Sequence, residues 1–177
     1  MAADRVEDGK LALLGGMPAK TKPYTKGVRF GREEEEAAVA VIRSQKLWMK
    51  QGGTRVPAVE KTICELWGVP HAVVCSSGTA AVHTAVVACG VEPGDEVILN
   101  PTTDWGSICG VLAVGAVPVF ADLHPETLSL DPESVARRIT GKTRAIIAVH
   151  VSGYPCHIRE IVAIARDREV KVIEDCA

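Results

Sequence analysis

From residue 70 onward the chain alternates between apolar runs and helix-compatible segments. The apolar runs lie at 72–75, 96–99, 117–120, 145–149 and 171–174, with the segments 79–89, 105–114, 132–139 and 157–168 between them. The runs are near-continuous valine and isoleucine rather than alternating apolar and polar, the pattern of strands covered on both faces of a parallel sheet. Asp131 followed by Pro132 supplies a helix N-cap and a proline at the first helical position. Gly90 and Gly115 stand where helices should stop. These features predict an α/β fold: a mostly parallel sheet with helices on both faces. Right-handed crossovers then bring the carboxyl ends of the strands to one rim, and ligands of such sheets bind outside that rim.

Composition narrows the partners. The 177 residues are 47% hydrophobic and 24% charged, with a formal net charge of -2. That suits a globular domain with a real core and gives no basic surface for nucleic acid or an anionic membrane. The run "LALLGG" at 11–16 is too short to span a bilayer, and no leader-peptide pattern follows it. Six cysteines, none in a C-x-x-C pair, fall largely inside apolar runs, which points to a reducing, cytoplasmic setting. No zinc-type histidine or cysteine spacing occurs, so no metal is expected.

Residues 1–32 lack sustained periodicity and read as an arm that is partly mobile or lies across a surface. A helix is expected from the acidic cluster Glu33–Glu36 to about Arg43 and Lys46, with its charges matched to the helix dipole. The four glutamates point all round that helix and so read as a solvated face. After the loop "KQGGTR", Val56, Val59, Ile63, Leu66 and Trp67 trace one face of a second helix, with Thr54 as N-cap and Gly68 as C-cap.

The parallel-sheet geometry selects the residues just past the strands: Ser76–Thr79, Asn100–Trp105, Ala121–Asp122, His150–Gly153 and Asp175. Ser76-Ser77-Gly78-Thr79 offers first-turn N–H groups, hydroxyls and a glycine, which is either a phosphate cradle or an ordinary serine-capped helix. It is neither a dinucleotide fingerprint nor a nucleophile elbow, since G-x-G-x-x-G and G-x-S-x-G are both absent. "TGKTR" at 140–144 imitates the end of a P-loop, but Ala136 occupies the place of its earlier glycine. Trp105 could stack on a flat ring; on its own, packing against the sheet explains it better. Asp175 ends a strand at the rim, where a shielded carboxylate needs a partner: a protonated ring nitrogen, or the backbone of a following helix. Taken together, an anion cradle, an indole and an acid describe a flat, phosphorylated, cationic ring. Pyridoxal phosphate is such a ring.

The stretches "GGTRVPAVEKTICELWGVPHAVVCSSGTAAVHTAV", "GVEPGDEVILNPTTDW", "GAVPVFADLHPETLSLDPE" and "AIIAVHVSGYPCHIREI", with the terminal "VKVIEDCA", resemble the DegT/DnrJ/EryC1/StrS family of pyridoxal-phosphate-dependent sugar aminotransferases. The match runs from about Gly52 to the last residue in the order of the family's amino-terminal half. The resemblance implies the type I transferase fold, here as a truncated large domain. It assigns Gly78 and Thr79, beside Ser77, to the cofactor phosphate, Trp105 to ring stacking and Asp175 to the pyridine nitrogen. It implies transfer of an amino group from a glutamate- or glutamine-type donor to a keto-sugar or cyclitol ketone, in a homodimer. Asp104 and His157 depart from the family's usual residues at their positions.

On this reading residues 1–51 form an arm and first helix, and residues 52–177 an incomplete cofactor-binding domain without the family's small carboxy-terminal domain. The family's Schiff-base lysine would lie beyond Ala177, so no catalytic residue is assigned, and the chain is expected to be inactive by itself and to associate with the remainder. Two other readings are a fragment of a family dehydratase, in which histidine replaces that lysine, and a non-catalytic remnant or partner-binding subunit.

Overall fold

The computed structural model describes residues 10–22, 27 and 29–177. Residues 1–9, 23–26 and 28, part of the arm expected over 1–32, lie outside the described residues. The chain divides into two compact units, Met1–Pro57 and Ala58–Ala177.

In the first unit, a 3-10 turn at Ala12–Leu14 closes on Gly15, whose φ of 89° requires the left-handed region that glycine tolerates. Helix α1 (Arg32–Ser44) starts where the acidic cluster predicts. The Gly31 N–H donates to Glu34 Oε2 at 2.7 Å, and that bond holds the Glu34 carboxyl below its usual range. No residue of α1 is buried, in keeping with a solvated helix.

Helix α2 (Arg55–Trp67) begins at the end of the first unit and continues into the second. Its sequence is amphipathic, yet none of its residues is buried, and Val59, Leu66 and Trp67 are exposed. The remaining elements are α3 (Gly78–Ala88), β1 (Glu96–Leu99), α4 (Trp105–Ala113), β2 (Val117–Phe120), α5 (Pro132–Arg138), β3 (Thr143–Val149), α6 (Ile158–Asp167) and β4 (Lys171–Asp175). The four strands form one sheet in the order β2-β1-β3-β4, every pairing parallel.

Because successive side chains of a strand point to opposite faces, the valines and isoleucines divide between two cores. Val97, Leu99, Ala145, Ile147 and Val149 pack with Val82 and Val86 of α3 and Val111 of α4. Ile98, Ile146 and Ala148 pack with Val135 of α5 and Ile161 and Ala165 of α6. Helices thus cover both faces, as the continuous apolar runs imply. Asp131 caps α5 through the Glu133 and Ser134 N–H groups, with Pro132 in the first turn. Gly90 and Gly115 both take φ of 74° at the chain reversals after α3 and α4.

The run 72–75 corrects the sequence reading. It forms no regular element and belongs to no strand ladder, and Val73 and Val74 are 70% and 45% exposed. The Val74 N–H donates to the Glu60 carboxylate at 3.0 Å instead of to a neighbouring strand. Apolar character suits a strand, but a strand also needs a paired neighbour, and this segment pairs with neither edge of the β2-β1-β3-β4 sheet.

Two contacts fix the rim of the sheet. Asn100, fully buried just past β1, accepts from the Val149 N–H and donates to the Val149 carbonyl, both at 3.1 Å. Its amide extends the β1–β3 pairing beyond the strand end. Helices α3 and α4 approach closely because Gly110 has no side chain: a Cβ there would lie 2.9 Å from Val82 Cγ1 and 3.0 Å from the His83 nitrogen. That approach sets the spacing of the two helix N-termini at the rim.

All six cysteines are free thiols, and Cys156 is buried. Burial pushes the Cys89 and Cys156 thiols up, as it does for thiols in apolar surroundings. Among the described residues no helix is long and apolar enough to cross a membrane.

Candidate active site

The chain turns into α3 at Ser77, whose extended backbone lets its Oγ accept from the Ala80 N–H at 3.1 Å. The first-turn N–H groups of Gly78 and Thr79 have no carbonyl one turn earlier within the helix. Space beyond Gly78 is open: a Cβ placed there would meet no atom within 4 Å. Beside it, Asp104 caps α4, its Oδ1 accepting from the Gly106 N–H at 2.8 Å. Gly106 lets the Thr79 hydroxyl sit against α4; a Cβ at that position would come within 2.7 Å of Thr79 Oγ1.

Asp175, at the carboxyl end of β4, is 8% exposed. Its Oδ2 accepts from the Ser107 hydroxyl at 2.7 Å and its Oδ1 from the Ala177 N–H at 3.1 Å. Among the described residues no lysine, arginine or histidine pairs with it. A carboxylate this shielded is costly unless a cation or further donors reach it.

Gly78, Thr79, Gly106, Ser107 and Asp175 line one cleft of about 250 Å³. An adjoining hollow of about 230 Å³ shares Asp104, Ser107 and Asp175 and extends along Thr103, Val151 and Ser152. Of the residues singled out in the sequence, Gly78, Thr79 and Asp175 therefore face a common space. Ser77 sits at its edge as the helix cap. Trp105 opens α4 between two residues of the cleft wall, with its indole 65% exposed and outside the set that lines either hollow. Ala121–Asp122 stays apart: the Asp122 N–H donates to Ser134 Oγ at 2.9 Å, tying the chain after β2 to α5.

Hollows of about 290 and 540 Å³ lie along α1 in the first unit. The larger is lined by residues of α1 and the smaller by α1 and the segment 46–55, and none of these residues is buried. Volume does not mark the site; the buried acid does.

Sequence reasoning missed Ser107 and the roles of Thr103 and His150. The Thr103 hydroxyl donates to Ser107 Oγ at 3.0 Å, so a chain of hydroxyls ends on Asp175. Thr103 stands before the Asp104 cap and Ser107 in the first turn of α4, so no helical periodicity links the two. His150 Nδ1 accepts from the Cys156 N–H at 3.0 Å, which leaves Nε2 to carry the proton toward Glu174 Oε2, 3.0 Å away. That histidine braces the strand ends behind the rim. Among the described residues no group of three or more histidine, cysteine, aspartate or glutamate side chains could hold a metal ion.

A parallel α/β sheet thus carries an open helix N-terminus and, among the described residues, a buried acid without a cation partner on one rim. The chain belongs to the DegT/DnrJ/EryC1/StrS aminotransferase family, which matches residues 29–177. It is 39% identical over 173 residues to the L-glutamine:2-deoxy-scyllo-inosose aminotransferase of Streptomyces lividus, covering 94% of this chain and 40% of that protein. Among solved structures it resembles the aminotransferase from Psychrobacter cryohalolentis, with a TM-score of 0.80 and 35% identity, over 88% of this chain and 39% of that one. It also resembles the E. coli GDP-4-keto-6-deoxy-D-mannose-3-dehydratase with bound hydrated pyridoxal phosphate, at a TM-score of 0.74 and 25% identity, over 85% and 40%. The chain thus spans about two fifths of the length of the relatives it matches.

Proposed function

We propose that this chain forms the pyridoxal-phosphate-holding part of an aminotransferase that moves an amino group from a glutamine- or glutamate-type donor to a cyclitol or sugar ketone. The observation that carries the reading is Asp175: a buried carboxylate with no cation paired to it among the described residues, on the same cleft as the N-terminus of α3. The residues fit the cofactor chemically. The Gly78 and Thr79 N–H groups and the Ser77 hydroxyl would take the phosphate, where the helix dipole favours an anion. Asp175 would hold the pyridine N–H, keeping the nitrogen protonated by an adjacent negative charge. Trp105, exposed at the start of α4 and outside both hollows, would cover one ring face only by turning over the cleft. When bound, the group supplies an electron sink for bond changes at the amino-bearing carbon. The protein's part is to fix the phosphate, keep the ring nitrogen charged and shield Asp175 from water.

The glutamine-dependent cyclitol relative supports the substrate class. The dehydratase neighbour supports a second reading, in which the same cofactor cleft serves deoxygenation of a nucleotide-linked keto-sugar. Residues 1–51 serve as arm and first helix in this reading, and residues 52–177 as part of the cofactor domain. The uncovered Val59, Leu66 and Trp67 of α2 support association, either as a homodimer or with the remaining part of such an enzyme.

Among the described residues no lysine lines either hollow. Titration with pyridoxal phosphate, followed by absorbance and borohydride treatment, is therefore expected to show saturable binding without a reducible adduct at a defined lysine. A folded chain that binds no pyridoxal phosphate would overturn the reading.

A further inference from the structure

We propose that Ser107 is a positioning residue that holds the Asp175 carboxylate toward the cleft and that Thr103 orients it; the use of that carboxylate for a ring nitrogen rests on the function proposed above. Ser107 is 3% exposed and lies in the first turn of α4, while Asp175 ends β4, 68 residues away in sequence. The other donor to Asp175 comes from its own turn, at Ala177. Ser107 is thus the link that fixes the carboxylate relative to the helix pair forming the opposite wall. A hydroxyl has a single proton to give. Thr103 donates to the Ser107 oxygen, so the Ser107 proton is committed to Asp175 Oδ2. With that proton committed, Ser107 cannot donate to a ligand in the cleft although it lines it. Each Asp175 oxygen then holds one protein donor and keeps acceptor capacity, so the acid has a fixed orientation and room for one cationic N–H.

The experiment reads Asp175 directly, before any cofactor is added. In the full chain, three-bond N–Cγ and C′–Cγ couplings report the χ1 of Asp175. A single rotamer is expected in the wild type and in Ser107→Thr, which keeps the hydroxyl, and rotamer averaging in Ser107→Ala. Ser107→Cys, close to serine in volume and a poor donor, is expected to average as well and covers the case in which the alanine variant does not fold. Pyridoxal phosphate titrations form the second arm. Loss of a hydrogen bond to a charged group weakens binding roughly tenfold in Ser107→Ala, with recovery in Ser107→Thr. No further loss is expected when Ser107→Ala is added to Asp175→Ala, because Ser107 acts through that acid. A fixed Asp175 rotamer in the alanine and cysteine variants would overturn the proposal. So would an equal loss of affinity with and without Asp175. If the rotamers behave as expected and the wild type binds no pyridoxal phosphate, the positioning of Asp175 stands and the cofactor reading falls.

Discussion

Asp175→Asn is expected to weaken pyridoxal phosphate binding by about a hundredfold or more while leaving the unliganded chain nearly as stable as the wild type. The two effects separate because they come from different states. In the liganded chain, the substitution removes the negative member of a shielded ion pair and leaves the ring nitrogen facing a neutral amide; breaking such a pair costs about 3–5 kcal/mol. In the unliganded chain, Asp175 pairs with no cation among the described residues. Asparagine keeps an acceptor oxygen for the Ser107 hydroxyl and nearly the same volume. What it gives up is one bond to the Ala177 N–H, of order 1 kcal/mol. Equilibrium titration beside urea unfolding checks both halves. An Asn variant that binds as well as the wild type would remove Asp175 from the site.

Asn100→Leu is the substitution expected to cost most in folding. Asn100 is fully buried and its amide satisfies both backbone groups of Val149. Leucine fits a buried, apolar surrounding in hydropathy but leaves the Val149 N–H without that partner, and the Val149 carbonyl with only the weak Cys156 S–H donor at 3.2 Å. Leaving buried polar groups unmatched costs about 1–3 kcal/mol each, so a loss of about 2–4 kcal/mol is expected. Against a usual total of about 5–15 kcal/mol, that is a large fraction. Urea denaturation should show a lower midpoint with an unchanged slope. A midpoint equal to that of the wild type would mean that the β1–β3 rim is held by other contacts. Because Val149 pairs with Asp175 across β3 and β4, the same variant should also loosen the acid, and cofactor affinity should fall with stability.

Much of the fold was legible in the sequence because its signals are local. The runs at 96–99 and 117–120 coincide with β1 and β2, and Asp131-Pro132 marks the start of α5. Gly90 and Gly115 mark reversals that require a positive φ. The run 72–75 has the same composition and forms no strand, because pairing depends on a partner edge that composition does not reveal. Amphipathic α2 is similar: periodicity identifies a helix and an apolar face, and nothing in it says whether this chain supplies the cover.

The candidate site was partly legible for the same reason. Strand-end placement selected Asp175 at the end of β4, whereas Gly78 and Thr79 were selected past a run that forms no strand and reach the cleft through the start of α3. It also selected Ala121–Asp122, which pairs with α5 instead, since a rim several strands wide does not bring every tip to one cleft. Asn100 stood among the rim candidates and proves to be a structural brace. Ser107 was invisible as a partner of Asp175: a serine inside an apolar helical run carries no mark of a contact made 68 residues later.

The most direct test of the central claim is the protonation state of the cofactor's ring nitrogen in the bound state. With pyridoxal phosphate labelled with nitrogen-15, the chain is expected to show a protonated pyridine nitrogen at neutral pH, its N–H adjacent to Asp175 and its phosphate contacting the Gly78 and Thr79 amides. A bound cofactor with an unprotonated nitrogen, or with its phosphate away from the start of α3, would contradict the account.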